Sequence, residues 1–157
     1  MKKDFSHIRD QQPAMVDVGL KNDTQRTAIA KSLIQLPSEM KEHIKDGEIK
    51  TLKGPVFQTA IIAGIQAAKR TYELIPLCHQ LNLNKVDIQI QLATPLLVEI
   101  TCEARCTGKT GVEMEALTAV SICALTIYDM CKSIDKSIII EKIKLLSKKG
   151  GKKNYKR

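Results

Sequence analysis

Val86-Asp87-Ile88-Gln89-Ile90-Gln91-Leu92 is followed by Ala93-Thr94-Pro95 and then by Leu96-Leu97-Val98-Glu99-Ile100-Thr101-Cys102-Glu103-Ala104-Arg105-Cys106. In the first run Val86, Ile88, Ile90 and Leu92 fall on one side of an extended chain, and Asp87, Gln89 and Gln91 on the other. Leu96, Val98, Ile100, Cys102, Ala104 and Cys106 repeat the pattern against Glu99, Thr101, Glu103 and Arg105. A period of two marks a half-buried strand, and a proline-bearing turn between two such runs makes a hairpin. The reading is a pair of antiparallel strands in a sheet with one covered face and one polar face.

Working outward from the hairpin, Phe57, Ala60, Ile61, Gly64, Ile65, Ala68, Tyr72 and Ile75 follow helical spacing and predict a helix over 56–75. Its small residues permit close packing, and Pro76 stops it. On the other side, residues 107–111 read as a loop and residues 112–133 as a second helix. That helix is apolar nearly all round, through Met114, Ala116, Leu117, Val120, Ile122, Ala124, Leu125, Ile127 and Met130. A helix covered only by a sheet keeps a polar face, so a second subunit is expected to cover this one.

Residues 26–36 alternate more weakly, with Ala28, Ala30, Ile34 and Leu36 on one face, and are read as a strand. Pro37-Ser38-Glu39-Met40 is expected to open a short helix capped by Gly47. Met15-Val16-Asp17-Val18 is read as a short strand and residues 138–146 as the last one. The resulting order, βαββαβ with an extra short helix, predicts an α+β, ferredoxin-like fold: an antiparallel sheet covered by helices on one face. Residues 1–14 are expected to form a loose arm, 15–148 a single domain, and 149–157 a basic tail.

The net charge of +8 suggests a nucleic-acid or anion partner, but its distribution argues otherwise. Residues 142–157 hold eight Lys or Arg and no acid, leaving 17 basic against 17 acidic residues before them. The body is neutral, so anion binding there depends on individually placed cations rather than a general field. No stretch approaches the roughly 20 apolar residues of a membrane helix, and no apolar leader follows Met1. Five cysteines, an odd number, then suggest reduced thiols in a cytoplasmic protein.

Several residues have chemistry to offer. His79, in Leu77-Cys78-His79 just past Pro76, has the residue type to bind an anion or move a proton. No CxxC pair accompanies it, so zinc is not expected. Gly108-Lys109-Thr110-Gly111 leads into Val112-Glu113-Met114-Glu115 at a helix start, where backbone N–H groups favour phosphate. Glu113 and Glu115 would repel one, and suit a polar ring or an amine. Asp129 and Lys132 are three apart on a helix and share a face. Each feature also has a plain structural reading: a surface histidine, acids favoured by the helix dipole, an ordinary ion pair.

Taken as motifs these stretches are more specific. Residues 61–71 (Ile61-Ile62-Ala63-Gly64-Ile65-Gln66-Ala67-Ala68-Lys69-Arg70-Thr71) precede Leu74-Ile75-Pro76-Leu77-Cys78-His79. Thr107 to Ala119 begins Thr107-Gly108-Lys109-Thr110-Gly111-Val112-Glu113-Met114-Glu115. Ala124-Leu125-Thr126-Ile127-Tyr128-Asp129-Met130-Cys131-Lys132 follows, and the chain closes on Leu145-Leu146-Ser147-Lys148-Lys149-Gly150-Gly151-Lys152. In this order they resemble the cyclic pyranopterin monophosphate synthase family across roughly residues 6–152.

The resemblance implies a lyase of molybdenum cofactor biosynthesis. Its substrate would be 3′,8-cyclo-7,8-dihydroguanosine 5′-triphosphate, converted to cyclic pyranopterin monophosphate with release of pyrophosphate. It implies acid–base chemistry with no cofactor and no metal, in a homohexamer built as a trimer of dimers with sites at subunit interfaces. The implied catalytic residues are Lys53, Lys132, Asp129 and His79. The implied substrate-binding residues are Lys69, Cys78, His79, Glu113, Met114, Glu115, Lys148, Asp17, Lys21 and Arg26. Lys53 and Lys132 lead as proton-transfer groups, which requires a lysine pKa lowered toward neutrality. Asp129 would orient Lys132; His79, Lys69 and Lys148 would hold the triphosphate; Glu113 and Glu115 would meet the ring.

Glu115 and Asp129 lie 14 residues apart, roughly 21 Å along one helix at ~1.5 Å per residue. One chain is therefore expected to supply Lys53, His79, Glu113 and Glu115 to a site, and its neighbour Asp129 and Lys132. Residues 153–157 are expected to be dispensable. The competing reading, an RNA-binding module of the same fold, is favoured by the basic tail but not by the strands, since 86–92 and 96–106 carry no aromatic on which a base would stack. A purely structural oligomer leaves the cations and Glu113 with Glu115 unexplained.

Overall fold

The computed structural model describes residues 8–9 and 12–157. Residues 1–7 and 10–11 of the expected N-terminal arm lie outside them; within that arm β1 (Ile8–Arg9) pairs with β2 (Gln12–Pro13). The main sheet is formed by β3 (Thr24–Gln35), β7 (Leu83–Thr94), β8 (Leu97–Gly108), β9 (Ile139–Lys149) and the short β10 (Tyr155–Lys156), in the order β10-β9-β3-β8-β7. Every neighbouring pair is antiparallel. With α1 (Val56–Lys69) between β3 and β7 and α3 (Glu113–Cys131) between β8 and β9, the chain traces βαββαβ, the α+β ferredoxin-like arrangement.

The quoted hairpin is the β7–β8 pair, with Ile88 opposite Cys102, Ile90 opposite Ile100 and Leu92 opposite Val98. Its turn falls one residue later than the sequence suggests, because Ala93 is an irregularity in the ladder and Pro95-Leu96 makes the corner. Ala28, Ala30 and Ile34 of β3 sit opposite Ala104, Cys102 and Val98, and all six are fully buried. Small side chains in mid-sheet let α3 approach closely through Ala116, Ala119, Val120 and Cys123, also fully buried. The opposite face carries charge: Lys31 pairs with Glu99, Lys85 with Asp87 at 3.0 Å and Glu103 at 3.1 Å, and Arg105 with Glu103 at 2.8 Å.

Several local readings are corrected. Met15 to Val18 is not a strand; its backbone instead serves the cleft described below. Residues 38–43 form a 3-10 helix rather than the start of a helix reaching Gly47. Asp46 (φ 52°) and Gly47 (φ 73°) then form the turn between β4 (Ile44–Lys45) and β5 (Glu48–Thr51), which continues into β6 (Gly54–Pro55). Two successive positive φ angles suit a tight hairpin. The helix over 56–75 breaks at Arg70, where the Thr71 hydroxyl donates toward the carbonyls of Ala67 and Ala68, and α2 (Thr71–Leu74) is a separate turn.

The all-round apolarity of α3 has an explanation within the chain, since α1 packs along it while the sheet takes the other side. Leu125 is the large apolar residue of α3 left mostly exposed, at 54%. By length and composition α3 would also pass for a membrane span, contrary to the sequence reading, but it is packed as a core helix.

The tightest point of the α1–α3 crossing is Gly64. A Cβ added there would overlap Cys123 Sγ and come within 2.7 Å of Ile88 Cδ1 and 3.0 Å of the Ala119 carbonyl. Cys123 Sγ is itself held by the Ala60 carbonyl at 3.1 Å. Gly64→Ala gains at most about 1 kcal/mol of helix propensity, whereas overpacking a core costs about 1–3 kcal/mol. The expected result is net destabilisation, read as a lower urea midpoint; a midpoint at or above the parent's would show that the crossing has slack.

Candidate functional site

A cavity of about 650 Å³ opens beside the first turn of α3. Its walls come from residues 16–21, the start of β3, the loop after α2, the turn from Lys109 into α3, and the stretch from Lys148 to Lys153. Volumes of this order suit a small-molecule ligand.

Backbone carbonyls, not acids, hold much of this framework. Arg26 donates from Nε to the Gly108 carbonyl (3.2 Å) and from Nη2 to the Lys109 carbonyl (3.3 Å), tying β3 to the loop before α3. Lys109 Nζ donates to the Gly19 carbonyl at 2.8 Å. Asp17 Oδ1 accepts from Gly19 N at 2.8 Å, so this carboxylate shapes the turn and does not line the cavity. His79 Nε2 lies 2.8 Å from the Val16 carbonyl. A carbonyl only accepts, so Nε2 carries the hydrogen, and in the neutral ring Nδ1 is left as the acceptor.

Of the implied binding residues, Lys21, Arg26, Cys78, His79, Glu113, Met114, Glu115 and Lys148 line this one cavity. Glu113 Oε1 is 2.7 Å from Lys148 Nζ, which neutralises both in place. Its carboxylate also occupies the space where a side chain at residue 111 would stand, so a larger residue there would push Glu113 aside. Glu115 is only 4% exposed and its Oε2 has no hydrogen-bond partner among the described residues. Burial, helped by the negative charge of Glu113 and opposed by a backbone hydrogen bond, pushes its pKa from 4.5 to about 7. Burial, and then Glu115, also hold the Cys78 thiol above its usual range.

A second cluster sits at the far end of α3. Asp129 Oδ1 is 2.6 Å from Lys132 Nζ, and Oδ2 is 3.5 Å from Lys53 Nζ. Lys53 stands on the turn between β5 and β6, where Thr51 Oγ1 accepts from Lys53 N and donates to the Gly54 carbonyl. Glu48, which the sequence reading missed, anchors this turn: its carboxylate accepts from Phe57 N at 2.8 Å and Gln58 N at 3.2 Å, capping α1 from a neighbouring strand. The spacing from Glu48 to the helix start is too long to read as an ordinary cap.

Three sequence-based expectations fail here. Lys53 groups with Asp129 and Lys132 rather than with His79, Glu113 and Glu115 in its own chain. The Lys132 pKa is raised by its hydrogen bond to Asp129, and Asp129 is lowered first by Lys132 and then by Lys53, so charge pairing favours the ammonium form over a free base. Lys69 ends α1, exposed, outside the cavity lining. Lys149, Lys152 and Lys153 do line it. The sequence reading took Lys152 as the end of the closing motif and Lys153 as part of a charge run, and gave neither a place in the site, because nothing local shows that the chain folds back.

α3 is unbroken between the two clusters, so Glu115 and Asp129 remain roughly 21 Å apart in one chain. Fold and cleft together define a ferredoxin-like α+β protein with a cation-rimmed cavity around a near-neutral carboxyl group. A family model described as the MoaC family matches residues 15–151, and the chain belongs to that family, whose role lies in molybdenum cofactor biosynthesis.

Glu115 makes stability depend on pH in a defined direction. Between about 4.5 and 7 the unfolded chain releases this proton while the folded chain keeps it, so its contribution falls as pH rises through that window. Urea titrations of the parent and Glu115→Gln should differ by a profile that slopes across pH 4.5–7 and flattens on either side. A difference profile without slope would show that burial does not retain the proton.

Proposed function

We propose that the protein is a cyclic pyranopterin monophosphate synthase, a cytoplasmic lyase acting on 3′,8-cyclo-7,8-dihydroguanosine 5′-triphosphate. The observation that carries this reading is the convergence of His79, Glu113, Glu115 and Lys148, four residues of the family resemblance, on one cation-rimmed cavity of about 650 Å³. Closing a cyclic phosphate on a triphosphate forms one P–O bond from a hydroxyl of the substrate and breaks the α–β anhydride, releasing pyrophosphate. The hydroxyl proton goes to a base, and the leaving pyrophosphate is stabilised by cations.

In this reading Lys21, Arg26 and Lys148 meet the phosphates. Glu115, with a pKa of about 7, is suited to hold and move a proton near neutrality, and the His79 ring presents Nδ1 as an acceptor. Glu113 and Met114 face the ring. Lys53 and Lys132, both ammonium groups on Asp129, supply a proton donor and positive charge. The separation of the two clusters supports a site shared between chains, in which the cavity of one chain is completed by Asp129, Lys132 and Lys53 of its neighbour, within the homohexamer, a trimer of dimers, that the family resemblance implies.

Incubation with the cyclised GTP should release pyrophosphate and form the cyclic monophosphate. Lys53→Ala and Lys132→Ala should each slow turnover by roughly 100-fold or more with the circular dichroism unchanged. Complementation tests the sharing of sites. Exchanging subunits between Lys132→Ala and His79→Ala chains should rescue about a quarter of the sites, since both clusters are intact in that share of random pairings. Mixing Lys53→Ala with Lys132→Ala should rescue none. A parent that releases no pyrophosphate refutes the reaction, and two equally silent mixtures refute the shared site.

A further inference from the structure

We infer that the chain beyond residue 151 is a working wall of the cavity, where Lys152 and Lys153 form a subsite for the outer phosphates of a polyphosphate ligand. The inference rests on the triphosphate reading above and concerns Lys152, the last residue of the closing motif, and Lys153, which follows it; the family model itself ends at residue 151. A basic run at a chain end is ordinarily a solvated tail. Here the chain turns back at Gly150, whose φ is 89° and whose position admits no Cβ because it would overlap the Gln25 carbonyl. Thr24 Oγ1 donates to the Gly150 carbonyl at 2.8 Å, and Gly150 N donates to Asn154 Oδ1 at 3.3 Å, closing the bend. Beyond it, β10 pairs Tyr155 with Lys148 and Lys156 with Ser147, and Arg157 N donates to the Leu146 carbonyl at 2.8 Å.

Both ends of the 150–154 bend are therefore held, and the two lysines within it stand on the rim of the cavity. Of the five other cations there, Lys21 and Lys149 have no side-chain partner among the described residues and the remaining three are engaged. Lys148 is paired with Glu113, while Arg26 and Lys109 are engaged by backbone carbonyls. Among the described residues neither Lys152 nor Lys153 has a carboxylate within ion-pair distance, and both are exposed. Two such ammonium groups beside a cavity are suited to the distal, most highly charged part of a polyphosphate. The fold-back of β10 also covers the edge of β9, a purely structural service that the charge of the bend does not affect.

The test compares the full chain, Lys152→Ala/Lys153→Ala, Lys152→Arg/Lys153→Arg and a truncation after Gly151, using calorimetry with inorganic tripolyphosphate and turnover of the cyclised GTP. The double alanine variant should weaken tripolyphosphate binding roughly tenfold, raise KM by a similar factor with kcat little changed, and flatten the salt dependence of binding. The double arginine variant should restore all three, and the truncation should match or exceed the alanine loss. If the folded double alanine variant binds tripolyphosphate like the parent, the bend only protects the sheet edge and the inference is overturned. A parent that binds no tripolyphosphate overturns it as well, whatever its turnover. A parent that binds tripolyphosphate through the bend but never turns over the cyclised GTP leaves the subsite standing and sinks the proposed reaction instead.

Discussion

An α-helix rises about 1.5 Å per residue, and α3 runs without a break from Glu113 to Cys131, so its ends stand roughly 27 Å apart. The rod is held straight by burial on two sides. Ala116, Ala119, Val120 and Cys123 are packed with no exposure, and the missing side chain at Gly64 lets α1 come close enough to share that burial. Whatever is attached to either end is therefore positioned by the same core. At one end Glu113 and Glu115 face a cavity; at the other Asp129 holds two lysines. No small rearrangement brings these ends together in one chain.

The electrostatics differ between the ends because the burial differs. Glu115 is closed off from water, so the unfavourable term is its own ionisation, and its pKa moves to about 7. Asp129 and its lysines are about half exposed, so pairing dominates and each partner stabilises the other's charge. A near-neutral carboxyl group at one end and a persistent ion cluster at the other offer complementary chemistry: a group able to exchange a proton near neutral pH, and fixed positive charge. Around the cavity, backbone carbonyls rather than acids engage Arg26 and Lys109, which fixes their positions without cancelling their charge.

Much of this was legible in the sequence because the signal is local. A period of two over residues 86–106 and helical spacing over 56–75 and 112–133 record which face of each element leaves water, and that is the force that orders the elements. The βαββαβ order followed from them. The choice of Cys78, His79, Glu113, Met114, Glu115 and Lys148 came instead from the resemblance of their motifs to a known family, and the fold brings these residues around one cavity. The short pieces were harder. Asp46-Gly47 looks like a helix cap until both residues are seen at positive φ, and the break at Arg70 depends on a hydroxyl turning back to carbonyls that a continuous helix would use.

The sequence by itself determined the family, the fold class and the residue types available for chemistry, since each is written in side chains a few positions apart. Tertiary structure decided which of those residues meet. Lys53 is 76 positions from Asp129 and reaches it only because Glu48 seats the β5–β6 turn on the start of α1. Glu115 acquires its pKa from packing that no helical wheel contains. The basic run after Lys148 reads as a solvated tail until its backbone is paired with β9. In each case the deciding energy is a contact between segments distant in the chain, available only after the entropy of bringing them together has been offset by the core as a whole.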